Sequence, residues 1–290
     1  MSEDRNVPGP QDRVVAVLGR GVVPADTPVL RADDLGVLRG DGIFETLHVR
    51  AGKPWLLPEH LARMASSAAR LELDLPDAAA LTDLATTACA AWSSHSEGAL
   101  RLVCTRGPEQ GGPATVFATV APVPAHMRAA RRNGVDAVTA TLGVAAHARQ
   151  DAPWLLGGAK SLSYAVNMAS QRWAGRQGAD DVLWVSADGY ALEAPTSTLV
   201  WLEGTRLCTV PPDAAGILPG TTARWLLEHA EALGCTAAER MVRPEELGAT
   251  DGVWFTSSVR GCVPVRRLDG SPLPDPTRTT AIQDLLGYPV

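Results

Sequence analysis

The chain has 290 residues, 46% hydrophobic and 20% charged, with a net charge of −6. That is the profile of a globular protein with room for one large domain or two ordinary ones. Acids and bases are interspersed, so a nucleic-acid surface is not expected. No apolar run reaches the ~18 residues a membrane helix needs, so no membrane partner is expected either.

In chain order, residues 14–18 and 22–23 read as a hairpin around Gly19-Arg20-Gly21. Arg39-Gly40-Asp41-Gly42 leads into a strand over 43–49, and Ala51-Gly52 turns toward Trp55-Leu56-Leu57. Pro58 starts a helix carrying Leu61, Met64, Ala68 and Leu71 on one face. A second helix spans roughly 78–92, and strands follow near 99–105 and 115–121. Pro122, Pro124 and the basic cluster 128–132 read as a solvated connector. Beyond it come a strand at 135–141, a helix over about 162–177, and a hairpin of 182–186 with 190–193 around Asp188-Gly189. Strands at 199–202 and 207–210 flank Glu203-Gly204-Thr205, a helix runs from Gly220 to near Gly234, and strands lie near 237–242 and 253–256. The pattern predicts a mixed α/β (α+β) chain: a domain over 1–121, a connector over 122–134 and a domain over 135–290.

Residues 1–12 are too polar for a secretory leader. The cysteines at 89, 104, 208, 235 and 262 are odd in number and never closely spaced. Reduced thiols in the cytoplasm are therefore expected, rather than disulfides or zinc. The six histidines show no metal-binding spacing, and no metal is expected.

The basic residues are sharply biased: 24 are Arg and only two, Lys53 and Lys160, are Lys. A retained Lys is a candidate for chemistry that Arg cannot perform, because only its amine can lose a proton and attack a carbonyl. Lys53 sits in Arg50-Ala51-Gly52-Lys53-Pro54 and reads as a turn residue. Lys160 sits in Leu155-Leu156-Gly157-Gly158-Ala159-Lys160-Ser161-Leu162, among small and apolar neighbours. Such surroundings favour the neutral, nucleophilic amine.

Pyridoxal 5'-phosphate (PLP) makes three demands: an amine for its aldehyde, an anion site for its phosphate, and a carboxylate near its ring nitrogen. Lys160 meets the first. Gly216-Ile217-Leu218-Pro219-Gly220-Thr221-Thr222 runs into a helix N-terminus, which presents N–H groups to an anion, although an ordinary capped helix reads the same way. Glu193, in Ala191-Leu192-Glu193-Ala194-Pro195-Thr196-Ser197-Thr198, is the carboxylate candidate, or else a strand-end surface acid.

Seven segments in order resemble the fold-type IV PLP enzymes, which include aminodeoxychorismate lyase and the branched-chain and D-amino acid aminotransferases. They are Arg39 through Thr46; Glu59-His60-Leu61-Ala62-Arg63-Met64; Arg101 with Thr105-Arg106-Gly107; Lys160-Ser161-Leu162-Ser163-Tyr164; Glu193 through Thr198; Gly216 through Thr222; and Ser257-Ser258-Val259-Arg260-Gly261-Cys262-Val263-Pro264-Val265. The resemblance implies two α/β domains with PLP in the cleft between them, a small-molecule substrate and a homodimer. By the same resemblance, Lys160 carries the aldehyde and moves protons, and Glu193 pairs with the ring nitrogen. Arg63, Thr221, Thr222 and Ser258 hold the phosphate, and Tyr164 bonds the ring hydroxyl. Arg101 or Arg106 grips a substrate carboxylate, or else marks a charged strand edge. Thr198 and Ser163 depart from the family, standing where Asn is common. Three functions compete. The lyase, converting 4-amino-4-deoxychorismate to 4-aminobenzoate and pyruvate for folate synthesis, is the closest in its motifs. A branched-chain or D-amino acid aminotransferase comes next. A non-catalytic scaffold is last, since it would need none of the three PLP groups.

Overall fold

The computed structural model describes residues 13–92, 97–274 and 277–289. The polar stretch 1–12, read above as no secretory leader, lies outside them. The chain divides into two compact units. One runs through Pro124 and adds Lys160–Ser163; the other takes Ala125–Ala159 and Tyr164 onward.

Among the described residues, the first unit holds strands β1 (Val14–Val17), β2 (Gly21–Val23), β3 (Gly42–Arg50), β4 (Lys53–Pro54), β5 (Gly98–Thr105) and β6 (Thr115–Pro122). It also holds helices α1 (Leu35–Leu38), α2 (Leu57–Arg70) and α3 (Ala78–Ala90). The strands form one antiparallel sheet in the order β2-β1-β6-β5-β3-β4. Strand period decides which residues enter the core. Ile43, Leu47 and Val49 alternate along one face of β3 and pack with Leu57, Leu61, Met64 and Ala68 of α2 and Leu81, Leu84 and Ala88 of α3. Pro58 occupies the first turn of α2, where its missing N–H costs nothing. Asp77 caps α3 by accepting from the Ala80 N–H at 2.7 Å.

In the second unit the helices are α4 (Ala125–Asn133), α5 (Ala148–Asp151), α6 (Ala165–Arg176), α7 (Pro212–Ala215), α8 (Thr221–Glu228) and α9 (Thr279–Leu286). The strands are β7 (Val135–Thr141), β8 (Asp181–Val185), β9 (Thr198–Glu203), β10 (Arg206–Thr209), β11 (Thr236–Glu239), β12 (Gly252–Ser257), β13 (Gly261–Leu268) and β14 (Ser271–Pro272). Their mixed sheet runs β11-β10-β9-β12-β13-β7-β8, with β14 beside β13. Its core is built from Trp184, Leu192, Leu199, Trp201, Ile217, Phe255, Val263 and Val265. Among the described residues, no helix is long and apolar enough to cross a membrane.

The structure differs from the sequence reading at several places, of which the following bear on the site. Residues 125–133, expected within a connector, form α4: Pro124 ends the preceding extended stretch, and Ala and Arg favour helix. The helix expected from 162 starts at Ala165, because the preceding residues pair with β3 instead. Residues 190–193 make no regular strand. They bond to Trp184 and Ser186, but the Ala191 N–H donates to the Val242 carbonyl, so a ladder with β8 does not extend. Finally, β13 and α9 had no expected counterpart. The β13 stretch is nearly all apolar at its start and lacks the alternation that marks a strand.

Candidate active site

In the first unit the site is built on β3. The Phe44 N–H donates to the Lys160 carbonyl at 3.0 Å, and the Leu162 N–H donates to the Gly42 carbonyl at 2.8 Å, so the lysine segment lies alongside the strand. This close approach requires glycine at 42. A Cβ there would meet the Cys104 carbonyl oxygen and Leu162 Cδ1, both at 2.7 Å. The Lys160 N–H is held as well, donating to Ser67 Oγ of α2 at 3.0 Å. With its main chain fixed twice, half-buried Lys160 places Nζ 4.5 Å from the centre of the Phe44 ring. Lys53, by contrast, is an exposed residue after a turn with positive φ at Ala51 and Gly52.

Glu45 lies on the core side of β3 and is fully buried. Its carboxylate accepts from Arg63 Nε at 2.8 Å and Nη2 at 2.7 Å, and lies 2.6 Å from His60 Nδ1. Burial alone would raise its pKa, but the Arg63 guanidinium outweighs that cost and holds it down at about 2. His60 is pushed below the usual imidazole range, by burial first and by the Arg63 and Lys160 charges, against the pull of Glu45. The sequence reading assigns no role to Glu45 or His60. The available signal was the strand period, which puts Glu45 on the face of Ile43 and Leu47, and the i,i+3 spacing of His60 and Arg63. Removing one partner of a buried pair strands the other charge. Glu45→Gln is therefore expected to cost on the order of 3–5 kcal/mol of stability in urea unfolding. Because the folded pKa is depressed, the pair's contribution is present above about pH 4.5 and is lost as pH falls toward 2. The stability of wild type should fall across that window more steeply than that of the variant; parallel curves would remove Glu45 from the account.

The two candidate substrate arginines are placed differently. Arg106 binds Asp41 through Nε at 2.7 Å and Nη2 at 3.2 Å, and it donates to the carbonyls of Glu72 and Leu71. Arg101 is exposed, pairs with Thr46 across β5 and β3, and has its guanidinium carbon 5.8 Å from the Phe44 ring centre.

In the second unit Glu193 is buried at 9% exposure. Its carbonyl accepts from the Trp184 N–H, and its carboxylate oxygens lie 3.3 and 3.4 Å from the Leu218 nitrogen. Tyr164 stands at the start of α6, whose Asn167 donates to the Pro195 carbonyl at 2.7 Å and so steadies the turn after Glu193. Thr221 and Thr222 open α8 behind Gly220, and no side chain caps this helix. Gly220 is obligatory, because a Cβ there would fall 2.1 Å from Thr198 Oγ1. Thr221 Oγ1 lies 3.3 Å from Ser258 Oγ, and among the described residues the buried Thr222 Oγ1 has no hydrogen-bond partner. A buried hydroxyl without a partner at an uncapped helix N-terminus is chemically suited to an oxyanion such as phosphate.

Comparison with known proteins agrees with this chemistry. The family model for amino-transferase class IV matches residues 42–268. The chain is 42% identical over 269 residues to a bifunctional aminodeoxychorismate lyase / D-amino acid transaminase of Mycobacterium tuberculosis, covering 90% of this chain and 93% of that one. A solved hypothetical aminotransferase from the same organism, with alpha-ketoglutarate and PMP bound, is 42% identical with a TM-score of 0.92, covering 94% and 97%. The 4-amino-4-deoxychorismate lyase structure from Pseudomonas aeruginosa is 30% identical with a TM-score of 0.77, over 94% and 97%. The chain belongs to the class IV aminotransferase family of PLP-dependent enzymes.

Proposed function

We propose that this enzyme is an aminodeoxychorismate lyase, splitting 4-amino-4-deoxychorismate into 4-aminobenzoate and pyruvate. The observation that carries the reading is the likeness, over nearly the full length of both chains, to a relative whose name includes that activity. The Pseudomonas lyase structure supports it. D-amino acid transamination is the second reading, because the same relative carries both names.

When bound, PLP supplies an aldehyde for amines and a ring that takes up electrons from the carbon bearing the substrate nitrogen. Lys160 is the residue that would hold the aldehyde, and its amine would be the group that moves the proton of that carbon. Loss of the enolpyruvyl ether oxygen makes the substrate ring aromatic, and the lysine proton is available for the departing three-carbon unit. Glu193 would pair with the ring nitrogen and Tyr164 with the ring hydroxyl. Thr221, Thr222, Ser258 and Arg63 would hold the phosphate. Of the two arginines, Arg101 is the one we assign to the substrate carboxylate, since Arg106 already serves Asp41 and two main-chain carbonyls.

The test feeds holoenzyme 4-amino-4-deoxychorismate generated by its synthase. Pyruvate and 4-aminobenzoate should appear one to one without added keto acid, because a lyase keeps no nitrogen between turnovers. D-alanine with a keto acid should turn over at a lower kcat/KM. Faster transamination with no pyruvate from aminodeoxychorismate would overturn the lyase and leave a class IV aminotransferase.

A further inference from the structure

The turn between β12 and β13 carries Ser258, and its main chain is gripped from one side. Three consecutive carbonyls each accept from a side chain. Tyr288 Oη donates to the Ser258 carbonyl, Arg131 Nη2 to Val259 at 2.6 Å, and Arg131 Nε to Arg260 at 3.0 Å. The remaining nitrogen, Arg131 Nη1, donates to the Pro289 carbonyl at 3.0 Å. Arg131 is only 1% exposed, and its guanidinium carbon sits 4.8 Å from the Tyr288 ring centre. Gly261 lies against the same ring. Its φ is +73°, and a Cβ there would come within 2.9 Å of the Tyr288 ring. Gln283 of α9 ties the parts together, donating to the carbonyls of Arg131 at 2.8 Å and Cys262 at 3.0 Å. Within the same turn, Arg260 is ion-paired with buried Asp181 at 2.6 Å.

A guanidinium taken out of water is costly, and an ordinary hairpin turn leaves its carbonyls to solvent. Here a buried arginine and a buried tyrosine are spent on main-chain oxygens of one turn. That turn holds Ser258 Oγ beside Thr221 Oγ1 at the head of α8. We propose that Arg131 and Tyr288 are positioning residues: they clamp the 258–261 turn so that Ser258 is presented to the cofactor phosphate. The inference rests on the reading of Ser258 as a phosphate ligand given above.

The experiment is a double-mutant cycle on the full chain stripped of cofactor, with the PLP dissociation constant as readout. Ser258→Ala and Tyr288→Phe should each weaken PLP about fivefold, the equivalent of one hydrogen bond. The double variant should be no worse than Ser258→Ala alone, because the clamp acts only through that hydroxyl. Arg131→Gln should repeat the pattern. General loosening of the fold would instead lower affinity equally with and without Ser258. Weakening by Tyr288→Phe and Arg131→Gln that multiplies with Ser258→Ala, or no weakening by either, overturns the clamp alone. Unchanged affinity in Ser258→Ala overturns the phosphate role of Ser258 and the clamp with it.

Discussion

Lys160→Ala is expected to lower turnover roughly 10⁴-fold while PLP still binds, the upper range for loss of a positioned acid–base group. On the proposed mechanism the lysine does two things that its neighbours cannot replace: it holds the aldehyde covalently, and it moves the substrate proton. His60 is buried against Glu45, and its pKa is pushed down, so it serves a different partner. The main-chain bonds of residue 160, to Ser67 Oγ and to Phe44, involve no side-chain atom of the lysine. Alanine should therefore preserve the fold, and the loss is chemical. Lys160→Arg should fail as completely, because guanidinium does not deprotonate. A small primary amine added to the Ala variant should restore part of the rate. Borohydride reduction of wild type, followed by peptide mapping, should find the cofactor on Lys160. Cofactor on Lys53, or an Ala variant within tenfold of wild type, would remove Lys160 from the mechanism.

Where periodicity is strong the sequence was readable. The hairpin β1–β2, strands β3, β5 and β6, and helices α2 and α3 lie close to their expected places, because each pairs a buried stripe with turn residues at its ends. The lysine bias pointed to Lys160 for a reason of chemistry rather than of fold. What stayed hidden depends on partners far apart in the chain. Leu162 reads as the start of a helix, yet its N–H bonds to Gly42 of β3, more than a hundred residues earlier. Nothing local to Arg131 predicts that its donors end on carbonyls of residues 259, 260 and 289. Arg101 and Arg106 read alike, as substrate-binding cations or a charged strand edge. Only the ion pair to Asp41 and the bonds to two carbonyls separate them. Glu45 falls within the Arg39–Thr46 motif, but its burial becomes meaningful only once α2 supplies Arg63 and His60.

Glu193→Gln should keep the cofactor bound and lower kcat roughly 10- to 100-fold, the rate equivalent of losing a charge-assisted bond of about 1.5–3 kcal/mol. Gln has nearly the shape of Glu, so the main-chain bond from Trp184 N–H and the packing beside Leu218 are retained. What is lost, on the proposed role of Glu193, is the negative charge that favours a protonated ring nitrogen. Without it the ring withdraws electrons less strongly, and the proton that Lys160 must remove becomes harder to take. The effect should fall on kcat more than on KM, because the charge matters most once electrons have moved toward the ring. Cofactor absorbance should persist, because Lys160 and the phosphate ligands are untouched. Glu193→Asp retains the charge but draws it back by one methylene, and should land between the two. A Gln variant within twofold of wild type would mean that the carboxylate of Glu193 does not face the ring nitrogen. A variant that loses the cofactor altogether would make Glu193 a structural residue of the turn rather than the partner of the ring.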